Sequence, residues 1–154
     1  MGNEANLKTY LEMTDVLFNR RIGSEAGKYY ADKFMSHNSD GGGSGIKTAT
    51  VESMQEIWRN TSITYPDRVL TNDLILCAGD LVVARVTMTG TMTGPMMGMP
   101  PTGKAFSTSA IDIYRFKDGK VVERWGNNDG IGMLTQMGLL QTFAERMAAG
   151  VQPE

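Results

Sequence analysis

Four stretches in the second half of the chain alternate apolar and polar residues with the period of a β-strand. They are residues 67–77 (DRVLTNDLILC), 80–92 (DLVVARVTMTGTM), 104–116 (KAFSTSAIDIYRF) and 120–127 (KVVERWGN). They are joined by Ala78-Gly79-Asp80, by a long Met/Pro/Gly stretch, and by Lys117-Asp118-Gly119. The Asp-Gly pair predicts a hairpin between the last two. The first three stretches run 11 to 13 residues, against a usual strand of about 5 or 6. A sheet of such strands has to curl to cover itself. Curled around helices it makes a cone, and the apolar open end of a cone is a pocket.

The helices come first. In residues 7–21 (LKTYLEMTDVLFNRR), Leu7, Tyr10, Leu11, Thr14, Leu17 and Phe18 fall at helical spacing. Gly23 is expected to end this helix and Ser24 to cap a second one, running to about Asp32. Residues 33–38 (KFMSHN) read as a short extended piece. Residues 50–60 (TVESMQEIWRN) read as a third helix, with Thr50 and Ser53 as a partial capping box and Glu52 suited to the helix dipole. A last helix is expected from about Gly130 to Met137. The expectation is therefore α+β: one domain over 1–154, a cone-shaped barrel of three N-terminal helices packed on a curved antiparallel sheet of four long strands. The helices can cover only the inner sheet face, so a homodimer or homotetramer is expected to bury the outer one.

Charge and composition narrow the partners. The chain has 154 residues, a net charge of -2 and scattered basic residues, which gives no electrostatic reason to bind nucleic acid or an anionic membrane. Cys77 is the single cysteine, so no intramolecular disulfide forms. The N-terminal residues carry acids and no apolar run, and no stretch reaches the roughly 20 apolar residues of a membrane span. A soluble, cytoplasmic protein is the expectation. With one His and one Cys there is no zinc cluster. The Gly-rich segment SDGGGSGIK lacks the context of a phosphate loop and reads as a flexible surface loop.

The candidate site residues follow from placement. Alternation puts Phe106, Thr108, Ala110, Asp112, Tyr114 and Phe116 on one side of a strand. Asp112 thus shares a face with aromatic rings. It is either an acid tied to a neighbouring hydroxyl, Arg or amide, or an acid in a pocket. His37 is either a structural hydrogen-bonder or, at the end of an extended segment beside Asn38, a pocket residue. Met92, Met96, Met97 and Met99 read as an apolar lip over the mouth of the cone, the other reading being a loosely packed turn. Asp129 interrupts the apolar stretch WGNNDGIGMLTQMG, either as the N-cap of the last helix or as the acid at a pocket mouth.

Residues 100–140 carry a recognisable pattern: Pro-Thr-Gly-Lys, then Asp112-Ile-Tyr-Arg-Phe, then Asp118-Gly-Lys-Val-Val-Glu-Arg-Trp125, then Asp129 and Gln136-Met-Gly-Leu. With YYADKFMSHN upstream, the chain resembles the SnoaL-like polyketide cyclases, within the fold shared with nuclear transport factor 2 and ketosteroid isomerase. The resemblance implies a deep apolar cavity and ring closure of an apolar, polycyclic carbonyl substrate, an ester cyclase chemistry, by intramolecular aldol condensation without cofactor or metal. It makes Asp129 the general acid/base, with Asp112 and His37 as further catalytic candidates. Asn38, Trp58, Met88, Met97, Tyr114, Trp125, Asn127 and Asn128 become expected substrate contacts. Trp58 reads equally as plain core. The alternatives are an isomerase resembling ketosteroid isomerase, which would need His37 as its base, and a non-catalytic carrier of a small apolar ligand.

Overall fold

The computed structural model describes residues 3–38 and 47–150. The expected glycine-rich loop, residues 39–46, lies outside them. In chain order come α1 (Asn3–Thr14), a wider π turn (Asp15–Asn19), a 3-10 turn (Gly23–Glu25), α2 (Ala26–Tyr29), β1 (Tyr30–Asn38), β2 (Lys47–Thr50) and α3 (Val51–Thr64). Then follow β3 (Val69–Ala78), β4 (Leu81–Thr91), β5 (Ala105–Lys117), β6 (Lys120–Asn128), α4 (Gly130–Gln136) and α5 (Leu140–Ala148). The six strands form one curved, unclosed sheet in the order β2-β1-β6-β5-β4-β3, so the architecture is α+β.

The four long strands stand where the alternation predicts them, as an antiparallel meander from β3 to β6. Asp118 and Gly119 turn β5 into β6 with φ of 50° and 74°, the left-handed pair that suits a tight hairpin. Thr50 and Ser53 complete the capping box at the start of α3: the Thr50 side chain accepts from Ser53 N at 3.2 Å, and the Ser53 hydroxyl accepts from Thr50 N at 3.0 Å.

The sheet is nonetheless wider than four strands. Residues 33–38 are not a short piece but the end of the nine-residue β1, which starts where the second helix was expected to continue; α2 stops at Tyr29. β1 runs parallel to β6 and antiparallel to the short β2, so the sheet is not wholly antiparallel. The pairing of β1 with a strand some ninety residues away is a tertiary contact that no local period carries. Gly23 does not end the first helix either. Arg21 takes the left-handed conformation (φ 60°), and Gly23 opens the next turn, where a Cβ would lie 2.7 Å from the Trp58 Cβ. The C-terminal helix α5 was not expected.

Two apolar clusters hold the fold. The larger lies between the inner sheet face and the N-terminal helices and contains Tyr10, Met13, Leu17, Tyr30, Phe34, Trp58, Val82, Val86, Tyr114 and Val121. The smaller is built from the expected methionine lip. Met92 and Met99 are buried in it with Tyr65, Phe106, Met137 and Leu139, and Met96 and Met97 pack against it. The lip is thus a second core covered by α4 and α5. Arg146 of α5 ties it down by donating to the Met97 and Gly98 carbonyls at 2.8 and 3.3 Å.

Candidate functional site

Cross-strand partners share a face of a sheet, so the ladder registers assign each candidate to one side. On the inner face Ala110 pairs with Asn128, Asp112 with Gly126 and Tyr114 with Arg124. Gly126 adds no side chain opposite Asp112. Arg124 places Nη2 3.7 Å from Asp112 Oδ1, and both groups are largely buried. Tyr10 and Tyr114 stand 5.5 Å apart between ring centroids, and the Tyr10 hydroxyl donates to Asn72 Oδ1 at 2.7 Å. Asp112 therefore lies at the centre of a polar island in the apolar interior, with Arg124 and three phenols around it.

Burial sets the chemistry of those phenols. It pushes the Tyr30 hydroxyl up to about 12, with Arg124 pulling it down, Asp112 adding to the rise and a hydrogen bond from Tyr114 opposing it. Burial and then the Asp112 charge hold Tyr114 well above its ordinary value. The same causes, with Tyr30 third, raise Tyr10. All three stay neutral hydroxyl donors at ordinary pH.

The outer face receives other candidates. Ile113 pairs with Trp125, Ile111 with Asn127, and His37 with Trp125. His37 stacks on Trp125 at 4.8 Å with the rings 8° from parallel. Its Nε2 is 2.7 Å from Glu123 Oε1, while Arg115 Nε donates to Glu123 Oε2 at 3.0 Å and Arg115 Nη1 reaches Asp80 at 2.8 Å. His37, Trp125 and Asn127 thus stand on the far side of the sheet from Asp112 and Tyr114, and do not share the expected enclosed space. The hydrogen bond from His37, then Arg115, holds the Glu123 carboxyl below the usual carboxylate range.

Asp129 follows β6 directly. Its backbone N donates to the Ser109 carbonyl at 3.1 Å, and the Thr108 hydroxyl donates to its carbonyl at 3.2 Å. The side chain caps α4 by accepting from Gly132 N at 2.8 Å. A Cβ at position 132 would overlap the Asp129 carboxylate, so a side chain there would displace the cap. The carboxylate is exposed. Three residues of ladder separate Asp129 from Asp112, or about 10 Å at some 3.3 Å per residue. Asn128 occupies the inner register between them, Met88 pairs with Thr108 beside it, and Met97 belongs to the methionine cluster. Asn38 ends β1 in register with Gly126, and its side chain lies outside the described residues. Trp58 is buried on α3, edge-on to Phe18 at 4.1 Å and under the Arg68 guanidinium at 4.6 Å.

Tyr10, Tyr30 and Arg124 were missed by sequence reasoning. Tyr30 lies in the part of β1 that reads as helix. Arg124 reaches the inner face because a bulge around Val122 shifts the β6 register between Arg115 and Phe116. Among the described residues no group of three or more His, Cys, Asp and Glu is placed to hold a metal ion, and no helix is long and apolar enough to cross a membrane.

Comparison with known proteins returns one family and one fold. A family model described as SnoaL-like polyketide cyclase matches residues 8–137. An aklanonic acid methyl ester cyclase of Streptomyces galilaeus, AcmA, is 39% identical over 59 residues, covering 38% of this chain and 41% of that protein. The matched segment thus spans about two-fifths of this relative's length. Among solved structures, TsrD of Streptomyces laurentii is 26% identical with a TM-score of 0.77, covering 91% of this chain and all of its own (100%). IdmH of Streptomyces antibioticus, provisionally assigned as a polyketide cyclase, is 28% identical with a TM-score of 0.72, covering 86% of this chain and 98% of its own.

Proposed function

The chain belongs to the SnoaL-like polyketide cyclase family, and from that membership we propose that it closes a ring in an apolar, polycyclic carbonyl substrate by intramolecular aldol condensation. The observation that supports this reading is the Asp112–Arg124 pair set among the buried phenols of Tyr10, Tyr30 and Tyr114 on the inner sheet face. Acids and neutral donors facing an apolar interior are what enolate chemistry needs.

In the proposed reaction, a carboxylate removes a proton from a carbon next to one carbonyl. The resulting enolate carbon attacks a second carbonyl carbon of the same molecule. One carbon–carbon bond forms, the attacked C=O becomes an alkoxide, and the proton returns to that oxygen. No electron leaves the substrate, so the reading requires no cofactor. Asp129, the residue that follows the inner-face Asn128, takes and returns the proton. Asn128 holds the developing oxyanion, and Asp112 with Arg124 fixes the far end of the folded substrate. Orientation of the two carbonyls in one molecule supplies much of the rate. The isomerase alternative loses its base, because His37 faces the other side of the sheet and is bonded to Glu123.

The test is incubation with a polyketide methyl ester bearing a free ketone, such as aklanonic acid methyl ester. The expected product has the mass of the substrate, one ketone fewer and one ring more, read by mass spectrometry and NMR. Asp129→Asn is expected to bind substrate and lose turnover by a hundred- to ten-thousand-fold. An equally active Asp129→Asn together with an inactive Asp112→Asn would move the acid/base role to Asp112. Substrate bound but unchanged by the wild type would leave the carrier reading.

A further inference from the structure

A pocket of about 540 Å³ opens between one face of α3 and the turn that follows α1. Arg21 and Ser24 line it from the turn, and Gln55, Trp58, Arg59 and Ser62 line it from the helix. Its lining carries two guanidinium groups, Arg21 and Arg59, and no carboxylate. Arg59 has no ion-pair partner among the described residues. Arg21 places one N–H on the Arg68 carbonyl at 2.8 Å and makes no ion pair there either. Trp58 is buried, and its indole N–H has no acceptor among the described residues.

A third guanidinium stands behind Trp58. Arg68 is buried with its Cζ 4.6 Å from the Trp58 ring centroid. Its Nη2 and Nε donate to the Leu17 and Phe18 carbonyls at 3.1 and 3.4 Å, and its Nη1 is buried without a partner. Burial, and then the charge of Arg21, pull this guanidinium down to about 10. A buried cation with no counter-charge is costly. The acid that feels Arg21, Asp67, is held instead by the Thr91 amide and hydroxyl at 2.8 and 2.7 Å. The walls beside these donors are apolar: the Trp58 ring, Ile22 and Ile63.

We infer that this pocket binds a small anion with a flat apolar body, a carboxylate or phosphate ester whose charge sits between Arg21 and Arg59 and whose ring lies along Trp58. Such a ligand supplies the negative charge that the Arg21 and Arg59 guanidinium groups lack here. The inference is independent of ring closure, since it is read by binding and involves neither Asp112 nor Asp129.

Trp58 itself reports on the pocket. The chain has two tryptophans, and the other, Trp125, stands on the outer sheet face, so Trp125→Phe leaves a single emitter. Phenyl phosphate and benzoate are titrated into that variant, with neutral benzamide as the control. Isothermal calorimetry on the wild-type chain gives a second readout should Trp125→Phe fail to fold. The expected result is a saturable change in Trp58 emission with at least one of the two anions, at least tenfold tighter than with benzamide. Arg59 is exposed on α3, so Arg59→Gln keeps the helix and is expected to weaken binding at least tenfold. Whichever anion binds more tightly identifies the carboxylate or the phosphate as the natural group. Benzamide binding as well as benzoate and phenyl phosphate, no heat from either anion with the wild type, or an unaffected Arg59→Gln would overturn the inference.

Discussion

Asp129 combines a visible structural task with a proposed chemical one, and single substitutions separate the two. Its carboxylate accepts from Gly132 N at the start of α4. Asn caps a helix about as well as Asp, whereas Ala removes the acceptor. Asp129→Asn is therefore expected to unfold in urea within a few tenths of a kcal/mol of the wild type, and Asp129→Ala about 1 kcal/mol below it. Both are expected to lose turnover. A variant that loses turnover only when it loses stability would assign Asp129 to the cap alone. Glu123 gives a pH signature on the other face of the sheet. Its carboxyl is held below the usual range by the His37 hydrogen bond and then by Arg115. A depressed folded-state value adds stability above the unfolded-chain value near 4.3, and that stability is lost as the pH falls through the lowered value. The Tm gap between wild type and Glu123→Gln is thus expected to be widest at neutral pH and to close in acid. A gap that widens in acid would contradict this assignment.

At the scale of elements, the methionine segment is the sharpest departure from the sequence reading. Glycines and prolines around Met92, Met96, Met97 and Met99 read as a loop forming an apolar lip over the mouth of the cone. Instead Met92 is fully buried beneath α4 and α5, while Met97 is half-buried at the edge of the cluster. Met92→Ala is expected to cost about 2–5 kcal/mol, as a fully buried large-to-small change does, and Met97→Ala clearly less. Urea midpoints at unchanged m-value check the difference. The cluster was missed because α5, which covers it, was overlooked although Leu140, Phe143 and Met147 fall at helical spacing. Where the period is long and strict, as in β4 and β5, the sequence is enough: the inner positions Val82, Ala84 and Val86 are all fully buried as alternation requires. Asp112 and Tyr114 were legible for the same reason. Trp125 was misplaced because the bulge in β6 reverses which side chains face inward, and period-two reasoning has no means to see an extra residue. His37 was misplaced because residues 33–38 read as a short piece with no face assigned, whereas alternation from the buried Phe34 turns it outward.

The whole molecule presents one face that the chain itself leaves uncovered. Reading the ladders across the sheet, Leu76, Val83, Ile113, Trp125 and His37 form a single outer row over five strands. Leu74 and Ile111 flank Arg85 in the next row, and Leu74, Leu76 and Ile111 are each more than half exposed. On the other side of the apolar row runs the charged one, Arg115 and Glu123. An apolar band beside a charged one offers an isologous partner both burial and pairing. We expect the chain to form a homodimer, or a tetramer built from it, through this face, at the roughly 800 Å² per partner of a standard interface. Sedimentation at tens of micromolar is expected to show the assembly. Leu76→Lys places a charge in the middle of the row at a site that is 58% exposed in the single chain, so it is expected to leave the fold intact and weaken association at least tenfold, about 1.4 kcal/mol. A wild-type monomer at that concentration, or an assembly indifferent to Leu76→Lys, would mean that the outer sheet face stays in water and that the band serves some other partner.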